Sequence, residues 1–216
     1  MGNRAVITTE ENFQNNGIGV YVHWNGGRDS VTAFLKYCKM KGYRTPETDC
    51  YGWARLVQVI GNFFGGSVSV GIDTVNNLYC DNYDNGVYII RNWEIVARKY
   101  FDAEEQNVYD LNEMLIFIDE SMPKKEQLGK EFLTAPVVKP SEMKIGDVIA
   151  YVDWNGDIVK QKIIGFGTDM MVNGRNVNGI PYTGKFGSVY CNAEKNINNY
   201  LYDDEYSGRE YWKIEV

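Results

Sequence analysis

Between Met122 and Pro140 the sequence loses every regular period: it turns polar, carries Pro123, Pro136 and Pro140, and adds Lys124-Lys125 and Gly129. Proline removes a backbone donor and restricts the residue before it, so neither a helix nor a central strand runs through such a stretch. Upstream the chain mixes strand and helix periods; downstream it offers strands and turns. The reading is an α+β domain over residues 1–128, a linker over 129–139 and a small all-β, barrel-like domain over 140–216.

In the first part, Val6 to Thr8 and Ile18 to His23 are short β-branched or aromatic runs with Asn15-Asn16-Gly17 between them, the pattern of a hairpin. From Asp29 the period changes, with Val31, Phe34, Leu35 and Cys38 at i, i+3, i+4 and i+7 and Gly42 as a stop signal. Trp53, Leu56, Val57, Ile60 and Phe64 repeat the helical spacing before Gly65-Gly66, and a strand is expected at 67–70. A second hairpin flanks Arg91-Asn92-Trp93. Asp110, with Glu113 three residues on, opens a third helix through Leu111, Met114, Leu115 and Ile118. The expected first domain is an antiparallel sheet with about three helices.

In the second part, a strand through Tyr151, the turn Asn155-Gly156 and a return strand from Ile158 to Ile164 precede further turns at Asn173-Gly174 and Asn178-Gly179. Strands at this close spacing indicate a small barrel or rolled sheet. The segment MKIGDVIAYVDWNG resembles the first hairpin of small barrels of the Src-homology type, which implies binding of peptides, proteins or nucleic acids.

Charge and residue counts narrow the function. The net charge is −7, from 22 basic and 29 acidic residues, with no basic cluster in either part. Tracking a phosphate backbone needs such clusters, so direct nucleic-acid binding is disfavoured and a basic partner suits the chain better. Cys38, Cys50, Cys80 and Cys191 are too scattered for a metal knuckle and His23 is the single histidine, so no metal and no cofactor is expected. Without an apolar run of signal-peptide or membrane-span length, the expected setting is the cytoplasm, away from membranes.

One constellation offers chemistry. Asn25, Gly26, Gly27, Arg28, Asp29 and Ser30 join a predicted strand to a predicted helix, where glycines admit a ligand close to the backbone and helix amides favour anions. The hexapeptide resembles the pyrophosphate-binding loop of ATP pyrophosphatases, with Asn25 in place of the leading serine. That resemblance implies that Gly26, Gly27, Asp29 and Ser30 hold pyrophosphate, in a nucleotide-sequestering protein or a pyrophosphatase-like enzyme. The structural alternative has Asp29 or Ser30 capping the helix behind a glycine turn. His23, beside this loop and on the face of Tyr21 by strand alternation, joins the candidate set as acid or base, or as a structural histidine. Trp24, with the opposite orientation, is expected in the core.

Asp81, Asn82 and Asp84 around Tyr83 lack the glycine and closing glutamate of a calcium loop and read as a solvated turn. Tyr202, Asp203, Asp204, Glu205 and Tyr206 form the densest acidic run and are a candidate partner-binding segment that would imitate nucleic-acid phosphates toward a basic protein.

The stretch GIGVYVHWNGGRDSVTAFLKYC, followed by YGWARLVQVIGNFFGG, is similar to uncharacterised proteins of Gram-positive bacteria, their phages and mobile elements, in which a strand ending in His-Trp-Asn/Asp-Gly precedes a helix. The resemblance implies a non-enzymatic antagonist of host immunity, with no catalytic residues, whose partner is a defence protein or ribonucleoprotein such as a CRISPR nuclease. The nucleotide-binding reading of the loop is the alternative.

Overall fold

The computed structural model describes residues 2–12, 16–66, 69–100, 104–139, 142–153, 156–166, 189–191 and 210–214. It divides the chain into a unit of Met1–Gly129 and a unit of Lys130–Val216.

The first unit is a five-stranded sheet with helices. Its strands are β1 (Ala5–Thr8), β2 (Ile18–Val22), β3 (Val70–Thr74), β4 (Val87–Arg91) and β5 (Glu94–Lys99), in the spatial order β3-β2-β1-β4-β5. Both expected hairpins form, β1 with β2 and β4 with β5. The sheet is nevertheless mixed and not wholly antiparallel, because Val6, Ile7 and Thr8 pair in parallel with Val87, Tyr88 and Ile89. A hairpin forces antiparallel neighbours; the long excursion from β2 to β4, which includes two helices, is the kind of connection that permits a parallel pair. The third strand starts at Val70 and runs through Gly71 and Asp73, later than the expected 67–70, since glycine and aspartate are poor strand formers and mask it in the sequence.

The helices are α1 (Arg28–Met40), α2 (Cys50–Phe63) and α3 (Leu111–Ser121). Val31, Phe34, Leu35 and Cys38 are all buried, as their spacing requires. Beyond α1, Gly42 takes φ +63° and its amide bonds the Lys39 carbonyl at 2.9 Å, a left-handed stop that a side chain would strain. Asp110 caps α3 by accepting the amides of Asn112 (2.9 Å) and Glu113 (3.1 Å). Asp49 caps α2 through the Tyr51 amide at 2.9 Å.

A buried carboxylate ties α1 to α3 and to the end of the unit. Asp119 accepts the Tyr37 hydroxyl at 2.7 Å and the backbone amides of Leu128 at 2.6 Å and Gly129 at 2.9 Å. Burying such a group is tolerable because its acceptor sites are used.

The second unit holds α4 (Lys130–Leu133) and the strands β6 (Val148–Val152), β7 (Ile158–Phe166), β8 (Val189–Cys191) and β9 (Trp212–Ile214), in the order β8-β7-β6-β9. Met143, Ile149, Tyr151, Ile163 and Tyr211 form its core. Of the stretch expected as a linker, 129–139, Gly129 ends the first unit and the rest belongs to this one. Phe132 stacks on Trp212 at 4.5 Å, the Pro136 carbonyl accepts the Lys213 amide at 2.9 Å, and the Val138 amide donates to the Tyr211 carbonyl at 2.8 Å. Prolines suppressed the periodicity without preventing edge pairing. The expected turns at Asn173-Gly174 and Asn178-Gly179 lie outside the described residues.

Replacing Asp119 with alanine strands two buried donors, the Tyr37 hydroxyl and the Leu128 amide, and frees the Gly129 amide, so urea unfolding should show a loss of about 3 kcal/mol, whereas Tyr37→Phe should cost about 1 kcal/mol. Equal losses from the two would contradict the tie.

Candidate functional site

The loop singled out in the sequence is assembled as expected between β2 and α1, yet its ligands come from the chain itself. Asn25 sits at φ +53°, and Gly26 donates its amide to the Asn3 carbonyl at 2.7 Å. A Cβ on Gly26 would stand 2.6 Å from the Ala5 nitrogen, and one on Gly27 only 2.2 Å from the Gln106 carbonyl oxygen. The glycines are therefore required by close approach of the protein's own backbone.

The helix cap is Gly27, with no side-chain hydrogen bond, so neither Asp29 nor Ser30 takes the capping position that the sequence suggested. Asp29 lies inside the first turn and is buried. Its Oδ1 accepts the Ser30 amide at 2.6 Å, while Oδ2 accepts the amides of Val108 at 2.6 Å and Tyr109 at 2.7 Å. Asn25 donates to the Ser30 hydroxyl at 3.3 Å. Arg28 turns back to Glu105, its Nε lying 2.9 and 2.7 Å from the two carboxylate oxygens, and stacks its guanidinium over the Tyr88 ring at 5.6 Å. The carboxylates of Asp29 and Glu105 lie at this helix end and disfavour an anion there. Arg28 and Asp29 fasten Glu105, Val108 and Tyr109 to the start of α1.

Two carboxylates, Glu105 at this loop and Asp84 beside Arg4, are held below the usual carboxylate range. Burial pushes the Glu105 carboxyl up, but the Arg28 hydrogen bond and the charges of Arg28 and Arg98 outweigh it and hold the group below the usual range. Asp84 behaves alike: burial raises it, and the Arg4 side chain at 2.6 Å and amide at 3.1 Å bring it down further.

A second place, on the sheet face opposite Val20 and Val22, has the character of a binding surface. Val6, Val75 and Val87 form a small core there, and Tyr21, Leu78 and Cys80 pack against it, so the 75–85 loop covers this face. Asn82 holds the loop in shape: it is fully buried, its Nδ2 donates to the Gly86 carbonyl at 3.0 Å, and its Oδ1 accepts the amides of Asp84 at 3.1 Å and Gly86 at 3.0 Å. The expected solvated turn is thus pinned from inside by a satisfied amide.

What the loop exposes is aromatic. Tyr79 and Tyr83 meet edge to face at 6.3 Å, and Tyr83 is 61% exposed with φ +57°. Next to them on the sheet, the Tyr21 hydroxyl lies 3.3 Å from His23 Nδ1, and His23 meets Trp24 edge to face at 5.0 Å. His23 shares the face of Tyr21, as alternation required. Trp24 is 45% exposed, which corrects the expectation that it lies in the core. The cause is that Trp24 follows the last ladder residue of β2, where strict alternation has ended. Large rings on a fixed backbone bury much area in a complex at small entropic cost.

The strand-to-helix turn and the two tyrosines thus fall into separate roles. Tyr79 and Tyr83 were missed as candidates because they sit on irregular chain, where no period marks exposure; the Asn and Asp residues between them were the available signal of a shaped turn. Tyr202, Asp203, Asp204, Glu205 and Tyr206 lie outside the described residues. Among the described residues no group of His, Cys, Asp and Glu side chains is placed to hold a metal ion, and no helix is long and apolar enough to cross a membrane. Comparison of the chain with protein-family models, with curated proteins and with solved structures returned no match.

Gly27→Ala should lower stability by about 2 kcal/mol or more in urea unfolding; an unchanged midpoint would show the loop to be open. Because the folded pKa values of Asp84 and Glu105 are depressed, the stability they contribute is present above the ordinary carboxylate pKa, near 4, and is lost as pH falls through their folded values. Acid titration of the melting temperature should show this loss, and the double variant Asp84→Asn, Glu105→Gln should show a flatter acid limb. An unchanged limb would contradict the assignment.

Proposed function

We propose that the chain acts by binding a protein partner, that the partner belongs to a bacterial defence system with a CRISPR nuclease as its target class, and that the aromatic face makes the contact. The observation that carries the binding reading is the set of exposed rings at Trp24, Tyr79 and Tyr83, the two tyrosines lying on a loop that the Asn82 hydrogen bonds hold over a closed core and Trp24 packing edge to face on His23. Aromatic side chains with this much exposure and this little freedom are the groups that dominate protein interfaces.

The defence-system partner is supported by the similarity of the N-terminal stretch to proteins of phages and mobile elements. The acidic balance of the chain suits a target that itself carries a basic channel for nucleic acid. The second unit, read as a small barrel, would add a further binding module. The site of action in this reading is the cytoplasm of the host cell.

The test is phage plating on a host carrying an active CRISPR system, with and without the chain. Plating should rise when the chain is expressed. The triple variant Trp24→Ala, Tyr79→Ala, Tyr83→Ala should lose that protection by about tenfold or more while keeping its melting temperature. Full protection by the folded triple variant would overturn the aromatic contact, and no protection by the native chain would overturn the defence target.

A further inference from the structure

The two edges of the first unit's sheet are defended unequally. β5 carries Glu94, Arg98 and Lys99, pairs Glu94 with Lys39 at 3.1 Å, and shifts register against β4 between Ile89 and Ile90. Charges and bulges of this kind prevent another strand from adding. β3 has neither a lysine nor a proline, and its ladder to β2 runs regularly through five pairs.

The orientation of its backbone groups follows from the bonds at its ends. The His23 amide donates to the Ser69 carbonyl at 2.9 Å and the Val75 amide to the Gly17 carbonyl at 2.8 Å. In an antiparallel pair the inward positions alternate, so Ser69, Gly71, Asp73 and Val75 face β2, and Val70, Ile72 and Thr74 turn their backbone groups away from it. The Thr74 amide is occupied by Asp73 at 2.6 Å. Among the described residues no strand pairs with the outer side of β3, and the Ile72 side chain is 56% exposed.

We infer that the outer edge of β3 receives an extended segment of the partner protein as a sixth strand, and that this segment alternates apolar residues with lysine or arginine. The inference rests on the reading that the chain binds a protein. Three features choose the occupant. Val70 and Ile72 project on the same face as Val20 and ask for apolar neighbours at alternate positions. On the other face, a Cβ at Gly71 would find only the Tyr21 Cβ, 3.9 Å away, so the surface there is an open notch beside an aromatic side chain. Asp73 projects on that same face. A side chain reaching over the notch meets the Asp73 carboxylate, whose Oδ1 accepts the Thr74 amide and the Asn77 side-chain amide, and a negative group on this face favours a cation. The charge of −7 disfavours a second copy of the chain in the same place.

The probes are two synthetic peptides, one alternating arginine and valine and the other with glutamate in place of arginine, titrated into the full chain and followed by amide resonances. The basic peptide should move the Val70 and Ile72 amides and bind about tenfold or more tightly than the acidic one. Ile72→Pro deletes an outward donor without touching the β2 ladder and should abolish binding. Ile72→Lys, which places a like charge on the edge, should weaken it and serves if the proline variant unfolds. Equal affinity for the two peptides, shifts away from β3, or undiminished binding by Ile72→Lys would overturn the inference. So would sedimentation of the native chain as a dimer that Ile72→Lys dissociates, since the edge would then belong to a second copy. Peptide binding with intact phage protection in the triple aromatic variant would overturn the aromatic contact alone; loss of peptide binding with protection still sensitive to that variant would overturn the edge alone.

Discussion

Every residue of β1 is buried, and that burial makes the first unit need a cover on both faces of its sheet. A central strand flanked by β2 on one side and β4 on the other exposes apolar side chains alternately up and down. Ala5 and Ile7 project with Val20 and Val22, on the face away from Tyr21, and these side chains are fully buried. Val6 is closed off by the 75–85 loop. An irregular loop can serve as a core cover only if its backbone polar groups are satisfied, which is the work of Asn82. The aromatic face follows from this solution: a loop fixed from inside by the buried amides of Asn82 and Asn85 has Tyr79 and Tyr83 turned to solvent.

The same economy explains the strand-to-helix loop. The Asp29 carboxylate takes two amides from Val108 and Tyr109 and one from its own helix, and Arg28 takes Glu105, so one short loop orders a distant irregular segment. Two glycines permit the backbones to come within contact distance. A glycine-rich turn before a helix is equally the chemistry of an anion cradle. Which of the two it becomes depends on what part of the chain arrives at the helix end.

Local features were legible in the sequence and remote pairings were not. The buried stripe of α1 and the Asp110 cap of α3 depend on neighbours within a turn or two, and the residues themselves announced them. Both hairpins were readable from runs and turns. The parallel joining of β1 to β4 was hidden, because it links chain segments separated by two helices and leaves no local trace. Asp29 meets its amide partners 79 and 80 residues away, and Tyr37 meets Asp119 across 82, so their spacing carries no motif. The stretch 129–139 was read as a connector because Pro136 and the flanking Pro123 and Pro140 erase periodicity, although the bonds of Pro136 and Val138 to Lys213 and Tyr211 need none.

Photo-crosslinking in host cells distinguishes whether the aromatic face touches the partner. Benzoylphenylalanine placed at Tyr83 is compared with the same group at Phe117, an exposed ring on α3. A covalent adduct with a defence-system protein is expected from position 83 and none from 117. Adducts from 117 alone, or from neither position in cells where the chain protects phage, would contradict it.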